Sequence, residues 1–187
     1  MRIILASKSP RRRELLSELY RDFEIITEET DETLPAGIHP REGVAILAER
    51  KGAAVKAKIG DDGLIISSDT LVELGGVALG KPCDEADAAR MLRSLSGKAH
   101  NVHTGVAVHY RGKVYRGTDS TAVQFRHITD EEIAEYIASG EPMDKAGSYA
   151  IQGLGGKFIT GFDGDYDTVV GLSMRLLREL ISLAREE

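Results

Sequence analysis

Cysteine is nearly missing from this chain: Cys83 stands alone among 187 residues, which excludes an internal disulfide and a cysteine-cluster metal site and suits a reducing compartment. Long apolar runs are missing too. No tract approaches the roughly 18 residues that a membrane span requires, and the run Ile3-Ile4-Leu5-Ala6 is too short for a signal-peptide core. The expectation is a cytoplasmic protein with no membrane partner. Positive charge is in deficit, since 24 Lys and Arg against 30 Asp and Glu leave a formal net charge of −6. Proteins that bind polymeric nucleic acid broadly are usually basic overall, so such a partner is not expected. Several catalytic signatures are also absent. No GKS or GKT completes a Walker loop, Gly153-Leu154-Gly155-Gly156 departs from the dinucleotide fingerprint, and no GxSxG elbow marks a serine hydrolase. His100 and His103, three apart at an expected strand entrance, would face opposite sides and make a poor metal pair.

What is present suits one domain over residues 1–187, with room for two lobes, able to bury roughly 70% of the surface its unfolded form exposes. Its most informative stretch is Leu5-Ala6-Ser7-Lys8-Ser9-Pro10-Arg11-Arg12-Arg13-Glu14-Leu15. Residues 2–6 read as a buried strand, while Leu15, Leu16 and Leu19 recur at helical spacing. The junction therefore falls between Ser7 and Pro10, with Ser9 as N-cap and Pro10 where its missing N–H costs nothing. The free N–H groups, the positive end of the helix dipole and the arginines together make an anion site. The plain alternative is a capped helix with a solvated basic turn. Against it, cations beside the positive end of a dipole are unfavourable unless an anion is near.

Helices and strands are interspersed along the rest of the chain. Residues 23–27 are expected as a strand, 28–39 as an acidic loop, and Pro40 as the opening of a helix over 41–58. Val44, Leu47, Ala48, Lys51 and Val55 share one face of that helix, which puts a lysine in an apolar stripe. Residues 64–67 form a strand with Asp69-Thr70 at its carboxyl end, and Gly75-Gly76 turns a hairpin between 71–74 and 77–79. Asp84 caps a third helix striped by Ala88, Met91, Leu92 and Leu95 and stopped by Gly97. Strands over 102–110 and 113–125 turn at Arg111-Gly112, and Thr129 caps a helix through Ile137. Short strands are expected over 148–152 and 158–162, then a closing amphipathic helix over 172–183. The mixture predicts an α/β fold with a mixed sheet.

Four features could carry chemistry, and each has a plain counterpart. Asp69 lies where open α/β sheets place ligands, yet turn and cap aspartates are common. Lys51 either pairs with something buried or snorkels to water. Lys81, between Gly80 and Pro82, is aimed into a cleft or solvated on a loop. Asp31-Glu32 offers oxygens to a hard divalent cation or is a solvated acidic loop. Carboxylates and lysines make joint sense for a metal-bound polyphosphate, because the cations offset phosphate charge and the metal bridges the phosphates.

These pieces, in this order, resemble the Maf family of nucleoside triphosphate pyrophosphatases. The resemblance covers nearly the whole chain and includes Leu5-Ala6-Ser7 with Ser9-Pro10-Arg11-Arg12, Asp31-Glu32, Leu47-Ala48 with Lys51, Ser68-Asp69-Thr70-Leu71-Val72 and Gly80-Lys81-Pro82. It continues in Leu95-Ser96-Gly97, His103-Thr104-Gly105-Val106, the stretch from Asp144-Lys145 to Gln152-Gly153, and Val169-Val170-Gly171-Leu172. It implies an elongated twisted mixed sheet flanked by helices, with two lobes and a central cleft, similar to inosine triphosphate pyrophosphatases. It implies hydrolysis of a nucleotide to monophosphate and pyrophosphate with a divalent cation such as magnesium, manganese or cobalt, in a cytoplasmic enzyme expected to be a homodimer.

By position, the resemblance makes Asp69 the acceptor of a proton from attacking water. It makes Ser7, Arg11, Lys51 and Lys81 phosphate-site residues, with Lys51 and Lys81 serving catalysis. Glu32 becomes a metal or catalytic carboxylate, with Asp69 beside it as the other metal oxygen donor, and Lys145 and Gln152 line the same cleft. Arg11, Thr70 and Gln152 match the branch acting on dTTP and UTP, and modified pyrimidine nucleotides are further candidate substrates. The branch acting on 7-methyl-GTP tends to carry a bulky aromatic, a glutamine and a glutamate at those places. A nucleotide-binding regulator of cell division without catalysis is the remaining alternative. Two departures stand out: Gly52 where the family often has alanine, expected to loosen the helix slightly, and Ser173-Met174 where Pro-Leu is usual, which leaves the start of the last helix open.

Overall fold

Three aliphatic residues in succession, Ile3–Leu5, form the buried first strand (β1), the pattern of a strand covered on both faces. In the computed structural model, which describes residues 1–186, β1 lies between two parallel partners. Ile4 registers with Glu24 of β2 (Glu24–Ile25) on one side and with Ile65 of β3 (Leu64–Leu74) on the other. The sheet has seven strands in the order β2-β1-β3-β5-β6-β7, where β5 is Ala99–Tyr110, β6 is Lys113–Phe125 and β7 is Ile159–Asp163. The remaining strand, β4 (Val77–Leu79), pairs antiparallel with β3 across Gly75-Gly76, whose φ values of 59° and 84° suit a two-glycine turn. Antiparallel β6–β7 pairing completes the mixed sheet.

Helices start where side chains satisfy their free N–H groups. Ser9 caps α1 (Pro10–Ser17), Asp84 caps α3 (Glu85–Leu95), and Thr129 with Glu132 builds a reciprocal capping box on α4 (Asp130–Ala138). His39 caps α2 (Pro40–Ile59) through its ring, whose Nδ1 accepts from the Arg41 N–H at 3.2 Å. A short α5 (Tyr166–Val170), unforeseen in the sequence, precedes α6 (Met174–Glu186). Ser173 settles the start of α6: its Oγ accepts from the Leu176 N–H at 3.2 Å, so it caps the helix. Among the described residues, no helix is long and apolar enough to cross a membrane.

The chain forms two compact units. The first comprises Met1–Thr70, Thr104–Asp119 and the residues from Gly171 onward; the second comprises Leu71–His103 and Ser120–Val170. In the first, Ile4, Ala6, Val55 and Ile65 close a core between β1, β3 and α2. The core of the second is aromatic, with Phe125, Tyr136, Tyr149 and Phe158 among the stripe of α3, Ala88, Met91, Leu92 and Leu95.

Two expectations fail. The strand does not end before Asp69, because Thr70-Leu71-Val72 continue its β-favouring run and carry β3 to Leu74. Asp69 therefore lies inside a strand. Residues 148–152 form no strand, since Ser148 closes a 3-10 turn with φ +61° and breaks the extended path. The glycine-rich segment that follows is itself a 3-10 turn, Leu154–Phe158.

Candidate active site

At the start of α1 the three arginines part company. Arg12 turns inward: its Nε donates to the Gly171 carbonyl at 2.7 Å, Nη1 to the Ser68 carbonyl at 2.8 Å and to Ser7 Oγ at 3.4 Å, and Nη2 to Thr70 Oγ1 at 3.1 Å. One guanidinium thus fastens three stretches that are distant in the chain. Burial pulls its pKa below the ordinary arginine value, opposed by attraction to Asp69, and an arginine remains charged through such a shift. The argument that this basic turn needs an external anion therefore no longer applies to Arg12, whose acceptors are internal. Arg11 is half-buried and makes no hydrogen bond or ion pair among the described residues, while Arg13 is exposed. Ser7 is buried, and its Oγ also accepts from the Ser9 N–H at 3.2 Å.

Lys51 departs from the snorkelling alternative. It extends α2's stripe of Val44, Leu47, Ala48 and Val55, and its ammonium meets Glu32 Oε1 at 2.8 Å and Asp69 Oδ2 at 3.1 Å. Only 18% of its side chain is exposed. The other oxygen of Asp69 accepts from the Thr70 N–H at 2.9 Å, so both carboxylate oxygens are oriented. Arg50 places Glu32 by anchoring the acidic loop to α2, donating to the carbonyls of Asp31 at 3.2 Å and Thr33 at 2.8 Å. Asp31 spends its carboxylate on the Thr33 N–H at 2.8 Å. Of the adjacent acids, one shapes the loop and the other faces the lysine. The Thr70 hydroxyl lies between Arg12 and Thr104 Oγ1, the latter at 3.0 Å.

The other expected site residues belong to the second unit. Lys81 is exposed, Lys145 is half-buried and ion-paired with Asp144, and Gln152 is exposed. The Gly147 N–H donates to the Gly80 carbonyl at 3.0 Å, tying the Lys81 loop to the turn after Lys145. His100 and His103 have separate partners: His100 Nε2 meets the Tyr149 hydroxyl at 2.8 Å, and His103 lies between Ser120 Oγ at 2.7 Å and Glu73 Oε2 at 3.2 Å.

Among the described residues, no three or more His, Cys, Asp or Glu side chains form a metal-holding group. The donor set around Lys51 is two carboxylates, Glu32 and Asp69. That number suits magnesium and similar hard cations, which take one or two carboxylates and fill their other positions with substrate phosphates and water. The residues fit a cation that arrives with a phosphate chain, not one caged by protein alone.

The family model described as Maf-like protein matches residues 2–184. The chain belongs to the Maf family. Among its Maf relatives, the dTTP/UTP pyrophosphatase of Pelotomaculum thermopropionicum is 48% identical over 181 residues, covering 96% of this chain and 94% of that one. The protein of the same name from Bacillus cereus strain AH187 is 49% identical, covering 96% and 94%. That from Thermococcus kodakarensis is 44% identical, covering 97% and 96%. In fold, this Maf chain is similar to a HAM1 protein from Coxiella burnetii, with TM-score 0.53 and 14% identity over the whole of both chains. It is also similar to the Staphylococcus aureus Ham1 protein, with TM-score 0.51 and 15% identity over 100% of this chain and 97% of that one.

Three groups that touch the site residues were given no role by the sequence, although Thr104 and Gly171 lie in stretches that carry the resemblance. Arg50, next to Lys51 in the chain, carried no sequence signal of its contact with the acidic loop. Thr104 and the Gly171 carbonyl reach Thr70 and Arg12 through tertiary contacts alone.

Proposed function

We propose that this Maf protein hydrolyses dTTP and UTP to the nucleoside monophosphate and pyrophosphate by water attack at the α-phosphorus. The observation that carries the chemistry is the Lys51 ammonium held against both Asp69 and Glu32. An ammonium has three donors. With two directed at carboxylates, the third is available to a phosphate oxygen, which brings the α-phosphorus near the carboxylate that accepts the proton of water. The substrates follow from relatives of 44 to 49% identity along nearly the full chain, which carry that activity in their names.

In this mechanism Asp69 receives the proton as the water oxygen attacks. Ser7 accepts from Ser9 and Arg12 but keeps its own O–H for a phosphate oxygen. The first N–H groups of α1 and the Arg11 guanidinium supply further positive potential at the same helix start. Glu32 and Asp69 would hold a divalent cation, magnesium, manganese or cobalt, which when bound offsets charge on the departing pyrophosphate. Lys81 and Lys145 contribute to the same electrostatic task. Gln152 both donates and accepts, matching the carbonyl and N3–H edge of thymine or uracil, and works with Arg11 and Thr70 in choosing the base. We place the enzyme in the cytoplasm as a homodimer, acting on free pyrimidine triphosphates.

The test is a product panel. Nucleoside triphosphates are incubated with the protein and magnesium or manganese, and products are identified by anion-exchange chromatography. Monophosphate and pyrophosphate from dTTP and UTP are expected. Diphosphate and orthophosphate would overturn the reaction, a preference for 7-methyl-GTP would overturn the substrate, and tight binding without turnover would favour a regulator.

A further inference from the structure

Lys51 can join Asp69 and Glu32 only if α2 docks on the sheet in one register, and two strand side chains reach the helix backbone beside it. Ser67 Oγ donates to the Ala48 carbonyl at 2.7 Å, and His109 Nε2 faces the Glu49 carbonyl at 3.2 Å. Opposite a carbonyl, that ring nitrogen carries the proton. Each helical carbonyl has a second lone pair, so these bonds need not cost the helix its own ladder. They fall three and two residues before Lys51. Ser67 and Asp69, two apart on β3, point to the same face. A single strand face therefore carries a helix anchor and the partner of Lys51.

The approach is close because residue 52 is glycine. A Cβ built there would lie 2.5 Å from His109 Nε2 and 2.7 Å from Ser67 Oγ, well inside contact distance. A second close approach lies at the other end of the same packing: a Cβ on Gly105 of β5 would lie 2.6 Å from the Val44 carbonyl carbon and 2.7 Å from the Ala45 nitrogen. Gly105, Ala107 and His109 alternate onto one face of β5, small at one end and an imidazole at the other. Glycine inside a helix costs about 1 kcal/mol relative to alanine, so without a use for its space Gly52 is a poor choice. Its space is filled by the imidazole.

We infer that His109, seated in the notch left by Gly52, is a positioning residue that sets the register of α2 so that Lys51 reaches Asp69. This rests on the site proposed above. Beside the expected slight loosening of α2, Gly52 lets helix and sheet come together. His109 touches no substrate in this arrangement and acts through the Glu49 backbone and hence through Lys51.

Four variants are compared by kcat and KM for dTTP and by thermal unfolding: Gly52→Ala, His109→Ala, the double variant and His109→Gln, which keeps an N–H donor for the Glu49 carbonyl. Val55→Ala, in the same helix and core one turn beyond Lys51, reports what simple loss of packing does. Gly52→Ala is expected to lower kcat roughly ten- to hundredfold, the scale of a small misplacement of a catalytic group. His109→Ala should lower it less, His109→Gln should recover most of that loss, and the double variant should exceed Gly52→Ala alone because the clash with the imidazole is gone and only the Ser67 hydroxyl must shift. Val55→Ala should lose stability with kcat retained. An unchanged kcat in both single variants, or a double variant whose losses simply add, refutes the inference. If Gly52→Ala does not fold, His109→Ala and its Gln counterpart decide alone: equal kcat in wild type and His109→Ala refutes, and loss recovered by Gln supports. Lys51→Ala separates the two layers. If it turns over normally, the site reading itself has failed; if it is inactive while the Gly52 and His109 variants are uncoupled, only the positioning role has.

Discussion

Replacing Arg12 with methionine should cost stability, whereas the same change at Arg11 should alter nucleotide use. Arg12→Met removes charged donors from the Gly171 and Ser68 carbonyls, Thr70 Oγ1 and Ser7 Oγ. Three of those acceptors keep another partner: Gly171 keeps Ser68 Oγ at 2.8 Å, Thr70 keeps Thr104 at 3.0 Å, and Ser7 keeps the Ser9 N–H at 3.2 Å. The loss is therefore not the full cost of four orphaned groups. A hydrogen bond to a charged group is worth about 1.5–3 kcal/mol, and relief from burying a guanidinium returns part of the sum. The net expectation is about 2–4 kcal/mol. For a chain of this length that is a fall in Tm of roughly 5–15 °C. Arg11 makes no such bonds, so Arg11→Met should stay within about 1 kcal/mol of wild type while raising KM for dTTP and UTP and blurring the preference between bases. Thermal unfolding without nucleotide, paired with steady-state kinetics on both substrates, separates the two. Equal Tm values for the two variants would refute the assignment of Arg12 as the internal clamp.

Other expectations are independent of that one. Asp69→Asn should abolish pyrophosphate release yet still bind dTTP in equilibrium dialysis; retained turnover removes Asp69 from the proton-accepting role. Gln152→Glu should weaken dTTP and UTP, because a carboxylate repels the carbonyls of the pyrimidine edge, and an unchanged KM for both would exclude contact with the base. Acid should weaken the second unit through His100, which burial pulls down to about 4 and whose Nδ1 has no hydrogen-bond partner among the described residues. The unfolded chain protonates this histidine below pH about 6.5 while the folded one does not until about 4. Its contribution is thus fully present above pH about 6.5 and is lost as pH falls towards 4, in total about 3 kcal/mol. His109, also lowered by burial, adds in the same direction. Urea unfolding of wild type and His100→Phe at pH 7 and pH 4.5 checks this, and an equal loss in both would show that His100 is not the group responsible.

Elements written into a few neighbouring residues could be read from sequence. Ser9 before Pro10, Asp84 before the α3 stripe and Thr129 three residues before Glu132 are caps whose hydrogen bonds close within one turn. Gly75-Gly76 is a turn for the same local reason. The misreadings have a common origin. The expected strand over 64–67 leaves Asp69 at its end, whereas β3 continues to Leu74, where its last residues pair with β4. Residues 148–152 looked extended from β-favouring side chains, but Ser148 adopts a left-handed conformation within a 3-10 turn. Gly52 looked like a weakness when judged on its own helix, because what occupies its space arrives from 57 residues further along.

By itself, the sequence determined most of the elements and their order, the family, and the stock of groups for phosphate chemistry: a capped basic helix start, an acidic loop, and a lysine on an apolar stripe. Periodicity, capping and turn formation act over a few residues, so local pattern suffices for them. Tertiary structure decided which members of that stock meet. Glu32 rather than Asp31 faces Lys51, Arg12 rather than Arg11 is spent on internal carbonyls, and Asp69 meets Lys51 from mid-strand. Those choices depend on how α2 and α1 dock on β3 and β5. Docking brings together residues far apart in the chain, at approaches so close that a single added Cβ would overlap its neighbours.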